Sequence, residues 1–125
     1  MIDHISLGVS DLQRAAHFYE ATLAALGLSR LVTRAGTVGF GKAYPEFWIN
    51  RRTGMTQVAA ESGTHVCLRA TTTAEVDAFH AAALNAGGIS DGAPLLRPHD
   101  RVKYYAAFVL DPDGNRVEAV TFLQT

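Results

Sequence analysis

Displaced by 61 residues, two stretches of this amino-acid sequence fall into register without a gap. His4 then lies on His65, Ile5 on Val66, Leu7 on Leu68 and Val9 on Ala70. Further on, Phe18 lies on Phe79, Leu23 on Leu84 and Gly27 on Gly88. A repeat of this kind dictates architecture, because each copy is one supersecondary unit that must bury its apolar face against the other. With 125 residues in all, the chain is one domain's worth and too short for two independent cores.

Each copy reads as a short alternating segment, a helix and a glycine stop. Ser10-x-x-Gln13 and Thr72-x-x-Glu75 have the form of capping boxes. In the first helix Leu12, Ala16, Tyr19, Leu23 and Leu26 fall on one stripe, with Gly27 as a left-handed stop. In the second, Val76, Phe79, Ala83 and Leu84 form the stripe, ended by Gly87-Gly88. Alternation predicts strands over 2–9 and 64–70. After the first helix, strands are expected over Leu28–Arg34, Thr37–Lys42 and Glu46–Asn50. After the second, a looser stretch with Gly92, Pro94 and Pro98 precedes strands at Tyr104–Leu110 and Asn115–Phe122. Between these last two, Asp111-Pro112-Asp113-Gly114 places Pro and Gly where a tight turn wants them.

The expected fold is therefore α+β, a single domain over 1–125 built from two paired βαβββ modules. Module one spans about 1–52, a patternless linker about 53–62, and module two about 63–125. One helix per module covers the outside, and the strands form a curved, partly closed eight-stranded sheet around a cavity.

Composition narrows the function. The formal charge is −1 with scattered Lys and Arg, which leaves no electrostatic footprint for nucleic acid. No apolar run reaches the length of a membrane span, and Met1-Ile2-Asp3 leads straight into the first alternation without a leader pattern. The single cysteine, Cys67, excludes a disulfide framework and fits a reducing compartment. A cytoplasmic protein acting on a small molecule is the expectation.

Strand alternation assigns the faces. Ile5, Leu7 and Val9 belong under the first helix, so His4, Ser6 and Gly8 look into the cavity. Val66, Leu68 and Ala70 belong under the second, leaving His65, Cys67 and Arg69 facing in. On the last strand Glu118 shares the inward face with Arg116 and Val120. A carboxylate facing a cavity is costly unless paired, hydrated or bound to a metal. Two imidazoles and a carboxylate, His4, His65 and Glu118, could converge on one divalent ion and leave positions open for substrate. Fe, Mn, Zn or Ni would each suit such a mixed donor set. Cys67 reads better as a small buried filler than as a nucleophile, and His17 and His80 sit on helices without partners.

The runs Asp3-His4-Ile5-Ser6-Leu7-Gly8-Val9-Ser10-Asp11, Phe18-Tyr19 and Phe108-Val109-Leu110-Asp111-Pro112-Asp113-Gly114-Asn115, with Val117-Glu118, resemble the vicinal oxygen chelate superfamily. That group includes glyoxalase I, extradiol dioxygenases, metal-dependent epimerases, fosfomycin thiol transferases and metal-free bleomycin-binding proteins. The resemblance implies paired βαβββ modules, commonly a homodimer, and a metal held by His4, His65 and Glu118. The fourth ligand of glyoxalase I falls on Trp48, which can neither bind metal nor act as a base. Glu46 shares its face but is displaced along the strand, so lactoylglutathione lyase activity is not expected. Three ligands instead resemble the extradiol dioxygenases. Their outer histidine matches His99, whereas their tyrosine falls on Phe108 and their first-module base has no counterpart within Phe47–Asn50.

Two functions follow from these readings. One is a metal-dependent enzyme, dioxygenase-like or lyase/isomerase-like, acting on a small oxygenated substrate. In it His99 would transfer protons, Trp48 and Tyr104 would wall the substrate, and Arg97 would attract an anion or else be a solvated loop residue. The other is a metal-free protein sequestering an aromatic or drug-like ligand.

Overall fold

A computed structural model describes residues 1–124. The order of elements is β1 (Ile5–Val9), α1 (Leu12–Ala24), β2 (Ser29–Thr33), β3 (Thr37–Gly41), β4 (Pro45–Arg51), β5 (His65–Arg69), α2 (Thr73–Asn85), β6 (Ile89–Arg97), β7 (Lys103–Leu110) and β8 (Arg116–Leu123). This is βαβββ written twice. The helix bounds obey the 61-residue displacement at both ends, whereas β5 begins one residue before the position that β1 dictates. The strands form two four-stranded sheets, ordered β1-β4-β3-β2 and β5-β8-β7-β6. In each, the module's first strand runs parallel to its last, Ile5 opposite Phe47 and Val66 opposite Val117. That pairing requires a crossover, which the helix supplies.

Two expectations about local structure need correcting. The N-cap of α1 is Asp11, whose carboxylate accepts from the Arg14 amide at 3.1 Å, not Ser10. Ser10 is drawn away by Asp113 of the other module, to which its hydroxyl donates at 2.5 Å and its amide at 3.1 Å. Thr72 does cap α2, accepting from the Glu75 amide. Glu75 itself reaches Thr71, and those bonds hold its carboxyl below the usual range. The looser stretch before β7 is in fact the nine-residue strand β6, whose register against β7 shifts twice, around Gly92. Pro94 is tolerated there because β6 is a sheet edge.

The core is continuous across both modules. Val9, Phe18, Tyr19, Phe40, Phe47 and Ile49 of module one join Val76, Phe79, Val109 and Val117 of module two in one buried cluster. The two helices pack against one another. Gly88 lets Phe18 approach, since a Cβ there would stand 2.5 Å from the Phe18 ring. The stripe on α1 is wider than its spacing predicts, taking in Ala15, Phe18 and Thr22. That on α2 is narrower, and Leu84 is 41% exposed where its counterpart Leu23 is fully buried. Of the two helices, only α1 is tied by a side chain to the Asp111–Asn115 turn among the bonds described, through Tyr19 and Asp111.

That turn is the joint between modules. The buried Asp111 accepts from Tyr19 Oη at 2.6 Å, from the Asp113 and Asn115 amides, and from Asn115 Nδ2. Asn115 Nδ2 also donates to the Gly8 carbonyl at 2.9 Å. Gly114 sits at φ +89, the left-handed conformation its place in the turn demands. The two sheets share no hydrogen-bonded strand pair, so the eight strands do not close around a cavity within one chain.

Candidate functional site

The inward faces deduced from alternation carry the polar residues. On sheet two, Glu118 is the largest buried acidic side chain, 2% exposed. Its Oε1 lies 3.0 Å from His65 Nε2, and its Oε2 accepts from Tyr104 Oη. The register makes this possible: Cys67 of β5 and Phe108 of β7 flank Glu118 on either side, with His65 and Tyr104 on the same face. Burial, then the bond to Glu118, pushes the Tyr104 phenol well above its usual value. Burial first and the Glu118 charge second push the Cys67 thiol up to about 12, so it stays protonated at neutral pH. A protonated thiol is no nucleophile, but Cys67 is exposed beside the cleft and is not the buried filler expected of it.

Tyr104 connects Glu118 to the next element. The His99 ring stacks on it, with centroids 6.1 Å apart and planes 6° from parallel. His99 lies in the segment between β6 and β7, and its Nδ1 accepts from the amides of Arg101 and Val102. A neutral ring so held carries its proton on Nε2. The row His99, Tyr104, Glu118, His65 is thus continuous.

Arg97 is neither a loop residue nor an open anion hook. It ends β6, donates to the carbonyls of Ala93 and Ala106, and lies over the Phe108 ring at 5.4 Å. Its guanidinium fills the gap that the irregular register around Gly92 opens, 3.0 Å from where a Cβ would stand.

On sheet one, His4 immediately precedes β1 and is half-exposed, its Nδ1 2.7 Å from Asp3 Oδ1. That bond leaves Nε2 as the lone-pair atom of a neutral ring, the arrangement in which histidine ligates metals. Beside it Ser6, Trp48, Thr37, Asn50 and Arg34 line a shallow depression of about 270 Å³. Thr37 donates to Asn50 Oδ1 at 2.8 Å and Asn50 donates to Ser6, a polar row across three strands. Trp48 rests flat on Gly39, where a Cβ would stand 2.8 Å from its ring, and Arg34 lies 5.4 Å above that ring. Sequence reasoning found Trp48 but missed Gly39 and Arg34. The signal was available, since Gly39 is the cross-strand neighbour of Trp48 and a side chain there would bar the ring.

The three expected ligands are therefore divided. His65 and Glu118 are together; His4 lies across a cleft of about 490 Å³ between the modules, which both histidines line. Among the described residues no three His, Cys, Asp or Glu side chains form a group able to hold a metal. An imidazole and a carboxylate are metal-ligating groups, but here they are joined by a 3.0 Å hydrogen bond, and two donors about 2.1 Å from a tetrahedral ion stand about 3.4 Å apart, so taking up an ion would open the pair by a few tenths of an ångström.

Comparison with known proteins agrees with this architecture. The family model described as Glyoxalase/Bleomycin resistance protein/Dioxygenase superfamily matches residues 1–119. The chain belongs to that superfamily. A glyoxalase/bleomycin resistance protein from Albidiferax ferrireducens T118 is 30% identical with a TM-score of 0.85, over 96% of this chain and 98% of that one. Two more distant structures share the fold. A glyoxalase-related enzyme from Fulvimarina pelagi is 20% identical, TM-score 0.69, over 96% and 86% of the two chains. Fosfomycin resistance protein FosX from Mesorhizobium loti is 16% identical, TM-score 0.67, over 97% and 91%. A comparison with curated proteins finds no match. Among the described residues, no helix is long and apolar enough to cross a membrane.

Proposed function

We propose that this superfamily member is a metal-dependent enzyme acting on a small oxygenated organic substrate, with one divalent ion held by His65, Glu118 and His4. The observation that carries the reading is the buried Glu118 carboxylate, held by His65 and Tyr104 on a face otherwise open to solvent. Such an ion would supply a Lewis-acid centre for a substrate oxygen. The chain's own residues do the rest. Tyr104 fixes the Glu118 carboxylate in one orientation through its hydroxyl. His99, its Nδ1 committed to two backbone amides, presents Nε2 as the atom that gives or takes a proton. Trp48, flat on Gly39, offers an aromatic wall beside His4.

His4 and the His65–Glu118 pair sit on two separate open sheets, and this favours a homodimer in which each site takes module one from one protomer and module two from the other. Mixing tests it. His4→Ala and His65→Ala chains are each defective alone, yet random heterodimers would contain one intact site of the two, restoring about a quarter of the metal content. Metal analysis of protein purified without chelator gives the baseline, about one ion per chain. Equal, substoichiometric metal in the wild type, His65→Ala and Glu118→Gln would refute the enzyme reading. It would favour metal-free ligand capture on the Trp48 and Arg34 surface, a reading to which that aromatic and cationic pair lends specific support.

A further inference from the structure

A cavity of about 610 Å³ has neither His65 nor Glu118 in its lining. It opens between the first turns of α1 and the end of sheet one formed by the β2–β3 hairpin and the end of β4. Its floor is apolar, made by Leu12, Ala16 and Val38. Its rim carries Arg30, Arg34 and Arg51, against Asp11 alone of opposite sign. Three of the 11 basic residues of a chain with formal charge −1 therefore converge on one cleft.

The three arginines are not equally engaged. Arg30 donates to Glu20 at 2.6 Å and keeps its terminal nitrogens for other partners. Among the described residues, the side chains of Arg34 and Arg51 have no carboxylate within ion-pairing distance. Asp11 is committed to capping the Arg14 amide. Like charges gathered without counter-charge repel one another, and a bound anion relieves that repulsion. Planar guanidinium groups meet carboxylate and phosphate with paired hydrogen bonds. We infer that this cleft is a second binding site, independent of the metal reading, for a small organic anion whose phosphate or carboxylate head meets Arg34 and Arg51 while its apolar part lies on Leu12, Ala16 and Val38.

The site reports on itself. Arg34 also borders the Trp48 depression and lies over the ring of the chain's single tryptophan. An anion that draws the guanidinium aside changes what that indole faces, so occupancy of the cleft alters Trp48 emission and the surface beside His4.

The test is isothermal calorimetry on the full chain in low-salt buffer with phenyl phosphate and, separately, phenylacetate, each with an apolar ring and one anionic head. Saturable binding of either, with a Kd of about 1 mM or below, supports the inference, and which one binds tells phosphate from carboxylate. Arg34→Gln and Arg51→Gln each weaken it about tenfold, the loss of one charged hydrogen-bonding partner. Lys103→Gln and Glu118→Gln leave it unchanged, the latter separating this cleft from the proposed metal site. In the wild type, Trp48 emission shifts over the same concentration range. No saturable binding of either probe by about 10 mM, or an affinity that Arg51→Gln does not alter, overturns the inference.

Discussion

Replacing Tyr19 by Phe removes one oxygen from the joint between the modules and nothing else. The Tyr19 hydroxyl donates at 2.6 Å to Asp111, and both residues are buried. A hydrogen bond to a charged partner contributes about 1.5–3 kcal/mol. Asp111 keeps its bonds from the Asp113 and Asn115 amides and from Asn115 Nδ2, so the carboxylate stays partnered and the loss stays within that range. For a domain of this length, an unfolding entropy near 2.1 cal/mol/K per residue converts the loss to about 6–11 °C in Tm. The pH dependence sharpens the test. Burial, the largest influence, raises the Asp111 carboxyl above its usual value, and the Tyr19 bond leads the interactions that pull it back. A carboxyl raised in the native state binds its proton more readily there than in the unfolded chain. Its contribution to stability is complete below the unfolded pKa and is lost as pH rises through the native one. Tyr19→Phe raises the native value further, so the deficit widens as pH climbs through that window and levels off above it. Thermal unfolding at equal protein concentration, at pH 7 and near pH 4, measures both. A deficit below about 0.5 kcal/mol, or one larger in acid than at neutrality, would refute the reasoning.

Other perturbations follow from single contacts. Gly88→Ala puts a Cβ 2.5 Å from Phe18 and 2.8 Å from the Leu110 carbonyl; backbone cannot yield as a side chain can, so a loss of about 1–3 kcal/mol is expected in denaturant unfolding. Gly39→Ala displaces the Trp48 ring from its seat, with a Cβ 2.8 Å away. Its signature is a changed tryptophan emission maximum with far-ultraviolet circular dichroism intact. Tyr104→Phe leaves Glu118 with His65 as its remaining side-chain partner among the bonds described. If Glu118 holds the proposed ion, metal affinity measured by titration falls about 10–100-fold, as loss of an outer-shell hydrogen bond to a ligand does elsewhere; unchanged affinity would sever Tyr104 from the site.

Much of this was readable because the repeat constrains it. The presence and order of the two helices, the two left-handed glycine stops at Gly27 and Gly87, and the alternation of faces all follow from local pattern. The errors arise where a residue answers to a distant partner. Ser10 has every local reason to cap α1 and instead bonds Asp113, which is 103 positions away. Leu84 matches Leu23 in the repeat, yet Leu23 is fully buried and Leu84 is exposed, a difference that the local pattern does not carry. β6 hides behind Gly92 and Pro94 because an edge strand tolerates both, and Arg97 closes the irregularity from the far end.

The candidate site divides along the same line. Glu118 was legible as a charge in need of a reason, and His65 answers it inside the same module through the parallel pairing of β5 with β8. His4 occupies the equivalent place in module one, where the position matching Glu118 holds no acid: its parallel neighbour β4 brings Trp48 and Asn50 to that face. The repeat therefore duplicated a scaffold without duplicating a site. One module kept a histidine with a carboxylate; the other kept a histidine with an aromatic platform on Gly39. Neither half alone carries both a histidine–carboxylate pair and an aromatic platform, and their complementarity is the physical reason to test whether the two faces meet across protomers.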